Sequence, residues 1–123
     1  MKRKIKQINL QDDYGYSALH YAARNNHFEI VKFLAQNGAD LTLVTNGAAT
    51  ALHRAGISAN ENILDFLLGQ EKINMNAQDD EGQNFLHKLA RSKNLELFVK
   101  FSMKFQTLNS LQDSYGKTPS DYF

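Results

Sequence analysis

The chain has 123 residues, of which 42% are hydrophobic and 22% are charged. This composition is ordinary for a globular protein, and the length is enough for one small domain with its own core. Fourteen basic residues against thirteen acidic ones give a formal charge of +1, so the overall charge indicates no class of partner. The sequence contains no cysteine, which excludes disulfides, thiolate metal sites and cysteine nucleophiles and is compatible with a reducing compartment.

Residues 1–7 form a basic tail that contains Lys2, Arg3, Lys4 and Lys6. No apolar run follows them, which argues against a secretory signal. No stretch approaches the roughly 18 apolar residues of a membrane span. We therefore expect a cytoplasmic or nuclear protein without membrane insertion. The tail is either a solvated end or a contact for nucleic acid or an import receptor, and the sequence leaves both readings open.

The sequence repeats itself with a fixed period. The pair Leu-His occurs at residues 19–20, 52–53 and 86–87, so the histidines are 33 and then 34 residues apart. An acidic turn sequence recurs as QDDYG at 11–15, QDDEG at 78–82 and QDSYG at 112–116. A period of this length predicts a stack of small structural modules that bury apolar surface against one another.

Each module is expected to begin with a turn and a short helix. The acid of the turn can accept backbone N–H groups, and Gly15, Gly82 and Gly116 can adopt a positive φ without a steric penalty. Ser17 and Thr50 are good N-caps for the first helices ALHYAARN and ALHRAGIS, and FLHKLARS is the corresponding stretch of the third module.

A second helix follows in each module. FEIVKFLAQN in the first module carries apolar residues at helical spacing, and Gly38 follows as a residue that can end the helix. Thr118-Pro119 begins one more first helix near the end of the sequence, where proline suits the first helical position. Neither helix of a module is long enough to be stable alone, so the fold depends on stacking.

The stretch DDYGYSALHYAARNNHFEIVKFLAQNGAD, residues 12–40, resembles an ankyrin repeat. The resemblance covers residues 8–123, as repeats over about 12–44, 45–78 and 79–112 and a partial repeat over 113–123. It implies an all-α fold, an ankyrin-repeat solenoid of helix-turn-helix units joined by β-hairpin-like loops, with three full repeats and a truncated fourth. Within the family, the chain is similar to small stand-alone members.

Two departures from the repeat pattern carry expectations of their own. The second unit has Thr45-Asn46-Gly47-Ala48 in place of the acidic turn, with the glycine displaced by one residue relative to His53. We expect that tip to differ in shape. In the third unit Lys100 occupies the position of Phe33 and Phe66, so we expect altered packing or register there.

The resemblance implies a structural role for the histidine of each unit. Each histidine would bond to the polar residue three positions earlier and to neighbouring backbone. The expected pairs are His20 with Ser17, His53 with Thr50 and His87 with Asn84. Equivalent positions on stacked helices lie about 8–10 Å apart, which is too far for three histidines to share one metal ion.

Other chemical interpretations fail on spacing. The stretch NAQDDEGQNFLHKLA, residues 76–90, has the density of acids and histidine found around metals, but an EF-hand with Gly82 as its sixth residue would begin at Ala77 and end at Lys88. The sequence has no phosphate-binding loop, nucleophile elbow or HExxH helix. We therefore expect no cofactor, no metal and no enzymatic activity.

The resemblance places partner contacts at the turn tips and on the exposed face of the first helices. The matching tip residues are Asp13, Tyr14, Tyr16, Asn46, Asp80, Glu81, Gln83 and Tyr115. The matching first-helix residues are Tyr21, Arg24, Arg54, Ile57, Lys88 and Arg91. Four of these six are basic, so the groove floor is expected to carry local positive potential in a nearly neutral chain.

These residues support two interpretations. In the first, the groove receives an acidic or mixed-charge segment of a protein partner, with arginine making bidentate contacts and tyrosine supplying apolar area. In the second, the basic residues pair with the tip acids of their own or adjacent repeats. Nucleic-acid binding through the basic tail and groove floor is the alternative function.

The C-terminal end carries a separate expectation. The fourth unit stops after about one helical turn, so Leu97, Phe98 and their apolar neighbours would be exposed unless Tyr122 and Phe123 fold over them or another chain covers them. We expect a stable association at this end, as in a binding module or a subunit of a larger assembly.

Overall fold

The computed structural model describes residues 7–123, and the basic residues Lys2, Arg3, Lys4 and Lys6 lie outside this range. The described part contains helices and turns but no strand. Its helices are α1 (Ala18–Arg24), α2 (Phe28–Gln36), α3 (Ala51–Ile57), α4 (Glu61–Leu68), α5 (Phe85–Arg91), α6 (Leu95–Lys104), α7 (Gln106–Asn109) and the 3₁₀-helix η1 (Pro119–Tyr122). Across residues 7–123 no helix has the length and apolarity that a membrane span requires.

The helices form pairs that stack in one direction. The pairs are α1 with α2, α3 with α4 and α5 with α6, each joined by a three-residue connection. The first helices pack in a row, α1 on α3 and α3 on α5, and η1 continues the row on α5. The predicted all-α ankyrin solenoid with three full units and a short fourth is therefore confirmed.

The turn tips of the four units share one hydrogen-bonding pattern. In the first tip Asp12 N donates to Tyr16 O at 2.9 Å and Gly15 N donates to Asp12 O at 2.9 Å. The Asp12 carboxylate accepts from Tyr14 N and Tyr16 N at 3.0 and 2.9 Å, which fixes the turn from inside. The aspartates of the third and fourth tips, Asp79 and Asp113, accept in the same way.

The second tip keeps this shape, so the expectation of a different one is wrong. Thr45 N donates to Ala49 O and Ala48 N donates to Thr45 O, both at 2.9 Å, as in the other tips. The left-handed position that Gly15 occupies with φ +79° is taken here by Ala48 with φ +64°. Cross-unit bonding holds an alanine in a conformation that favours glycine.

The core lies between successive units. Its most buried large side chains come from α3, α4, α5 and α6, and they include Leu52, Ile63, Leu64, Phe85 and Phe101. Helices of seven to ten residues are marginal alone, so this shared burial is what stabilises them.

The register of α6 survives the substitution of an aromatic residue by Lys100. The Phe66 ring of α4 packs on Phe28 of α2, with ring centroids 6.1 Å apart. Lys100 stands at the matching position of α6 and forms ion pairs with Glu61 and Asp65 of α4 instead. Opposite charge therefore replaces apolar contact at the same place in the stack.

Candidate functional site

The histidine of the first unit ties its helix to the tip of the next unit. Ser17 N donates to His20 Nδ1 at 3.0 Å, so the ring proton lies on Nε2. Nε2 then donates to the carbonyl oxygens of Leu43 and Ala49 at 3.0 and 3.2 Å. Burial is the largest cause of the lowered pKa of His20, which keeps the ring neutral.

The other two histidines repeat this arrangement. The backbone amides of Thr50 and Asn84 donate to the Nδ1 atoms of His53 and His87 at 3.1 and 3.2 Å. Their Nε2 atoms donate onward to Gln83 O at 2.7 Å and to Lys117 O at 2.9 Å. Burial also lowers the pKa of His53. Each ring has both nitrogens engaged, so none is a free base or ligand.

The acidic cluster at the third tip holds a lysine. Carboxylate oxygens of Asp79, Asp80 and Glu81 lie within 4.8 Å of one another, a spacing that could suit a metal ion. Lys88 Nζ lies 2.6 Å from Asp79 Oδ2 and 3.2 Å from Glu81 Oε1. Because Lys88 already pairs with Asp79 and Glu81, and Arg91 with Glu81, the arrangement is an ion-paired cluster and we assign no metal to it.

One side-chain contact between the tip and the first helix recurs along the groove. The residue that follows each helix histidine position reaches back nine residues to the turn acid of its own unit. The pairs are Tyr21 with Asp12, Lys88 with Asp79 and Tyr122 with Asp113. The second unit differs because Thr45 stands where the other tips have aspartate, so its Arg54 has no turn acid of its own.

Arg54 turns instead to the first unit. Its Nη1 donates to the hydroxyl oxygen of Tyr16 at 2.8 Å, and its guanidinium carbon lies 5.9 Å from the centroid of that ring. The Nε atom is buried without a hydrogen-bond acceptor among residues 7–123. Arg24 lies over the same ring at 5.8 Å and over Tyr21 at 6.0 Å.

In the third unit the predicted contact residues are largely occupied with one another. Gln83 and Lys88 are only 1% and 4% exposed, so their prediction as partner contacts needs correction. Gln83 lies beneath the fourth unit, where its amide donates to Asp113 and to the Tyr122 hydroxyl. Lys88 is buried by its two acids, and Arg91 pairs with Glu81 at 3.3 Å. Internal pairing thus describes this half of the groove.

The remaining predicted contact residues lie at the surface. Tyr14 and Tyr115 are 71% and 64% exposed at the first and last tips. The other members of the set are fully or partly exposed along the same face, namely Asp13, Tyr16, Tyr21, Arg24, Asn46, Ile57, Asp80 and Glu81. Together they outline a continuous row from the first tip to the fourth.

Backbone hydrogen bonds join the tips into a ladder. Asn46 N donates to Tyr14 O at 3.0 Å, Asp80 N donates to Gly47 O at 3.0 Å, and Ser114 N donates to Glu81 O at 2.9 Å. The close approach is visible at Gly15, where an added Cβ would lie 2.6 Å from Asn46 N. The tips are therefore a connected edge held by backbone contacts.

A pocket of about 340 Å³ lies at the C-terminal end of the groove. It is lined by Glu81, Gln83, Arg91, Tyr115, Lys117 and Tyr122. Tyr122, which sequence reasoning assigned only to covering apolar surface, donates to Asp113. Burial, followed by this hydrogen bond, raises the pKa of Tyr122 to about 12. The signal for it was present: Tyr122 follows its turn acid at the same interval as Lys88.

Comparison with known proteins agrees with this architecture. The chain matches the family model described as ankyrin repeats (3 copies) over residues 2–79. It is 30% identical over 112 residues to the transient receptor potential cation channel subfamily A member 1 homolog of Caenorhabditis elegans, covering 91% of this chain and 9% of that protein. The chain therefore belongs to the ankyrin repeat family.

Two further relatives match at similar levels. Palmitoyltransferase AKR1 of Kluyveromyces lactis is 36% identical over 99 residues, which cover 76% of this chain and 13% of the relative. The ankyrin repeat protein FPV014 of Fowlpox virus is 40% identical over 68 residues, 55% of this chain and 16% of the relative. The chain thus spans a small part of these relatives. Ankyrin repeats are generally non-enzymatic modules for protein–protein interaction.

Proposed function

We propose that this chain is a non-catalytic protein-binding module whose contact surface is the tip row together with the exposed face of α1, α3 and α5. The observation that carries the proposal is the pair of exposed tyrosines, Tyr14 and Tyr115, at the two ends of a connected row of tips. Tyrosine combines apolar area with a polar hydroxyl, which suits it to a protein contact.

The ladder of tip hydrogen bonds supports this surface as a binding site. A loop that must be ordered on binding loses affinity, whereas a surface already held by backbone bonds avoids that cost. Each tip is fixed twice, by its own turn bonds and by a bond to its neighbour. The contact side chains therefore stand on a framework that is ordered before a partner arrives.

The bonding of the histidines supports a non-catalytic role. A general base needs a nitrogen or carboxylate that can reach a substrate proton. His20, His53 and His87 each use Nδ1 to accept from backbone and Nε2 to donate to a carbonyl oxygen of the next unit. These histidines link neighbouring units, and they are too buried to contact a ligand.

A display selection tests the proposal. The full chain would be immobilised and used to select binders from a random peptide library, and selected peptides would be measured by fluorescence anisotropy. We expect Tyr14→Ala and Tyr115→Ala to weaken binding at least several-fold, because each removes exposed contact area. Gln36→Ala is the matched control, since it alters an exposed residue on α2 and should leave affinity unchanged.

The selection can also overturn the proposal. Failure to enrich any peptide, combined with tight binding of labelled DNA or RNA that weakens steeply with salt, would replace protein binding by nucleic-acid binding. Equal losses in Tyr14→Ala and Gln36→Ala would remove the tip row as the contact surface.

We further propose that the exposed face of α6 receives an amphipathic helix of another protein. Leu95, Val99 and Met103 are exposed at four-residue intervals along α6. Phe28 and Glu61 hold the position of Leu95 in the two preceding units, and each contacts the following unit. Phe28 packs on Phe66, and Glu61 forms an ion pair with Lys100. A partner helix with apolar residues facing Leu95, Val99 and Met103 would pack on α6 as each second helix packs on the one before it.

Phe123 packs beside this face on Phe98, which, like Leu97, is buried within the chain. Its ring packs against Phe98 with centroids 5.0 Å apart, while Phe123 itself stays half exposed. The test places a photo-crosslinking residue at position 99 and offers a library of amphipathic helical peptides. Position 65, the equivalent position in α4, is the matched control, and the measurement is the yield of peptide adducts at each position. We expect adducts at position 99 alone, and none at 99 would overturn this second surface.

A further inference from the structure

The N-terminal half of the groove differs from the C-terminal half in how its positive charge is balanced. We infer that Arg24 and Arg54, which flank the Tyr16 ring, receive an acidic side chain of an extended peptide. This inference rests on the proposed function and names the partner chemistry for one half of the surface.

Two guanidinium groups share one aromatic ring in this half. The guanidinium carbons of Arg24 and Arg54 lie 5.8 and 5.9 Å from the centroid of Tyr16. Arg54 bonds to the Tyr16 hydroxyl and Arg24 lies near the ring, but a neutral side chain cannot balance the charge of either cation. A carboxylate that reaches this part of the groove would supply that charge and accept charge-assisted hydrogen bonds.

Neither arginine has an acidic partner within the part of the chain that the structure describes. The ion pairs of residues 7–123 use Lys32, Lys88, Arg91 and Lys100 as their cations. Asp12, the turn acid of the first unit, is already engaged by the Tyr21 hydroxyl and by two backbone amides. Thr45 stands where the second unit would otherwise supply a turn acid.

The donors of Arg54 are only partly used. A guanidinium carries five N–H groups, and within residues 7–123 that of Arg54 makes one hydrogen bond, from Nη1 to the Tyr16 hydroxyl at 2.8 Å. Its Nε is buried, so the Nη groups are what a partner can reach. Arg24 is exposed and adds its own fork beside the same ring. This geometry favours a planar carboxylate, which can accept two N–H groups at once.

The flanking residues favour a peptide over a nucleic acid. Asp13 is exposed at the first tip, beside Tyr14, and its carboxylate would repel a continuous chain of phosphates. A peptide that alternates single acids with apolar residues avoids this repulsion and can use the area of Tyr14 and Tyr21. The site therefore suits an Asp or Glu within a protein segment.

Arg91 provides a matched comparison. It stands four residues after its unit's histidine, as Arg24 does, but its Nη1 bonds to Glu81 Oε1 at 3.3 Å and to Gln83 Oε1 at 2.9 Å. Because its acceptors are supplied internally, Arg91 has less to gain from a partner acid than Arg24.

The test uses a random peptide display library as the probe and the full chain as bait. With the wild-type chain we expect enrichment of Asp and Glu over the input library. In each of the single variants Arg24→Gln and Arg54→Lys we expect the acidic enrichment to fall. The affinity of wild-type-selected peptides should drop about 10-fold, which corresponds to about 1.4 kcal/mol, on the order of one charge-assisted hydrogen bond. With Arg91→Gln both should fall less than with Arg24→Gln, because Arg91 already has Glu81 and Gln83 as acceptors.

Circular dichroism and urea unfolding of each variant establish that it is folded, and Arg54→Lys is chosen because it keeps the charge while removing the fork. Enriched peptides without an acidic bias, or equal loss in Arg24→Gln and Arg91→Gln, would overturn this inference and leave the proposed function standing. Failure to enrich any peptide would count against the proposed function as well.

Discussion

The two ends of the groove are built on the same repeat but balance charge differently. In the third unit Lys88 is buried between Asp79 and Glu81, and Arg91 shares Glu81. In the first two units Arg24 and Arg54 gather around Tyr16 without an ion pair in the described chain. Two turn positions account for this difference, since Thr45 stands where the third unit has Asp79, and Tyr14 stands where it has Glu81. The same repeat position can thus form an internal ion pair in one unit and remain without one, and so available to a partner, in another.

The largest effect is expected where the charge is most buried. Asp79→Ala leaves Lys88 with Glu81 as its remaining ion-pair partner among residues 7–123 and removes the acceptor for Glu81 N and Gln83 N. Breaking a buried ion pair is strongly destabilising, so we expect a loss of about 3 kcal/mol in the free energy of unfolding, measured by urea denaturation.

Asp12→Ala is the matched variant at the exposed end. It removes the same two amide contacts but leaves no buried cation behind. We expect a clearly smaller loss of stability than for Asp79→Ala. Equal losses in the two variants would show that the halves do not differ in the way described.

An intermediate effect is expected on acidification, from the rings that link the units. The folded chain lowers the pKa of His20 and His53 below the ordinary value, chiefly through burial. Below about pH 6.5 the unfolded chain therefore binds more protons than the folded one, and the stabilisation present at neutral pH is lost as the pH falls. Urea denaturation at pH 5, 6, 7 and 8 should show stability rising with pH.

The histidines can be separated from other titrating groups. Asp79 and Glu81 have lowered pKa values, so their contribution changes at more acidic pH than that of the histidines. His20→Gln combined with His53→Gln should flatten the profile between pH 5 and 7, even though it lowers stability throughout. An unchanged slope in this variant would assign the pH dependence to other groups.

The smallest effect is expected at the junction of the two halves, in the second tip. Ala48 holds a φ of +64°, so Ala48→Gly should raise the free energy of unfolding by about 1 kcal/mol. Ala77→Gly is the matched control, since Ala77 has no positive φ and should only gain freedom when unfolded. Thermal unfolding would show the first variant more stable than the parent chain and the second less stable.

The fold could be predicted because its signals are local and repeated. The Leu-His pairs, the acidic turns and the N-cap residues recur at fixed intervals, so they specified a helical solenoid with a short fourth unit. The second tip was mispredicted for a physical reason. The displaced glycine suggested a new turn, yet bonds to the neighbouring tips hold Ala48 in the glycine conformation.

The contact surface was harder to predict because exposure depends on neighbouring units. Gln83 occupies a tip position that is open in a single repeat, but the fourth unit brings Asp113 and Tyr122 onto it. Lys88 shares its register with Tyr21 and Arg54, and only the local acids decide that it is buried. A sequence register identifies which positions face the groove, whereas the neighbouring side chains decide which of them are free.

The three imidazole rings also act as spacers. Each ring runs from the backbone amide that precedes its own helix to a carbonyl oxygen of the following tip, at nearly the same pair of distances each time. Together with the direct packing of the first helices, the reach of one rigid ring therefore limits how far neighbouring units can separate. A peptide that touches both Tyr14 and Tyr115 must span three such steps, one for each histidine.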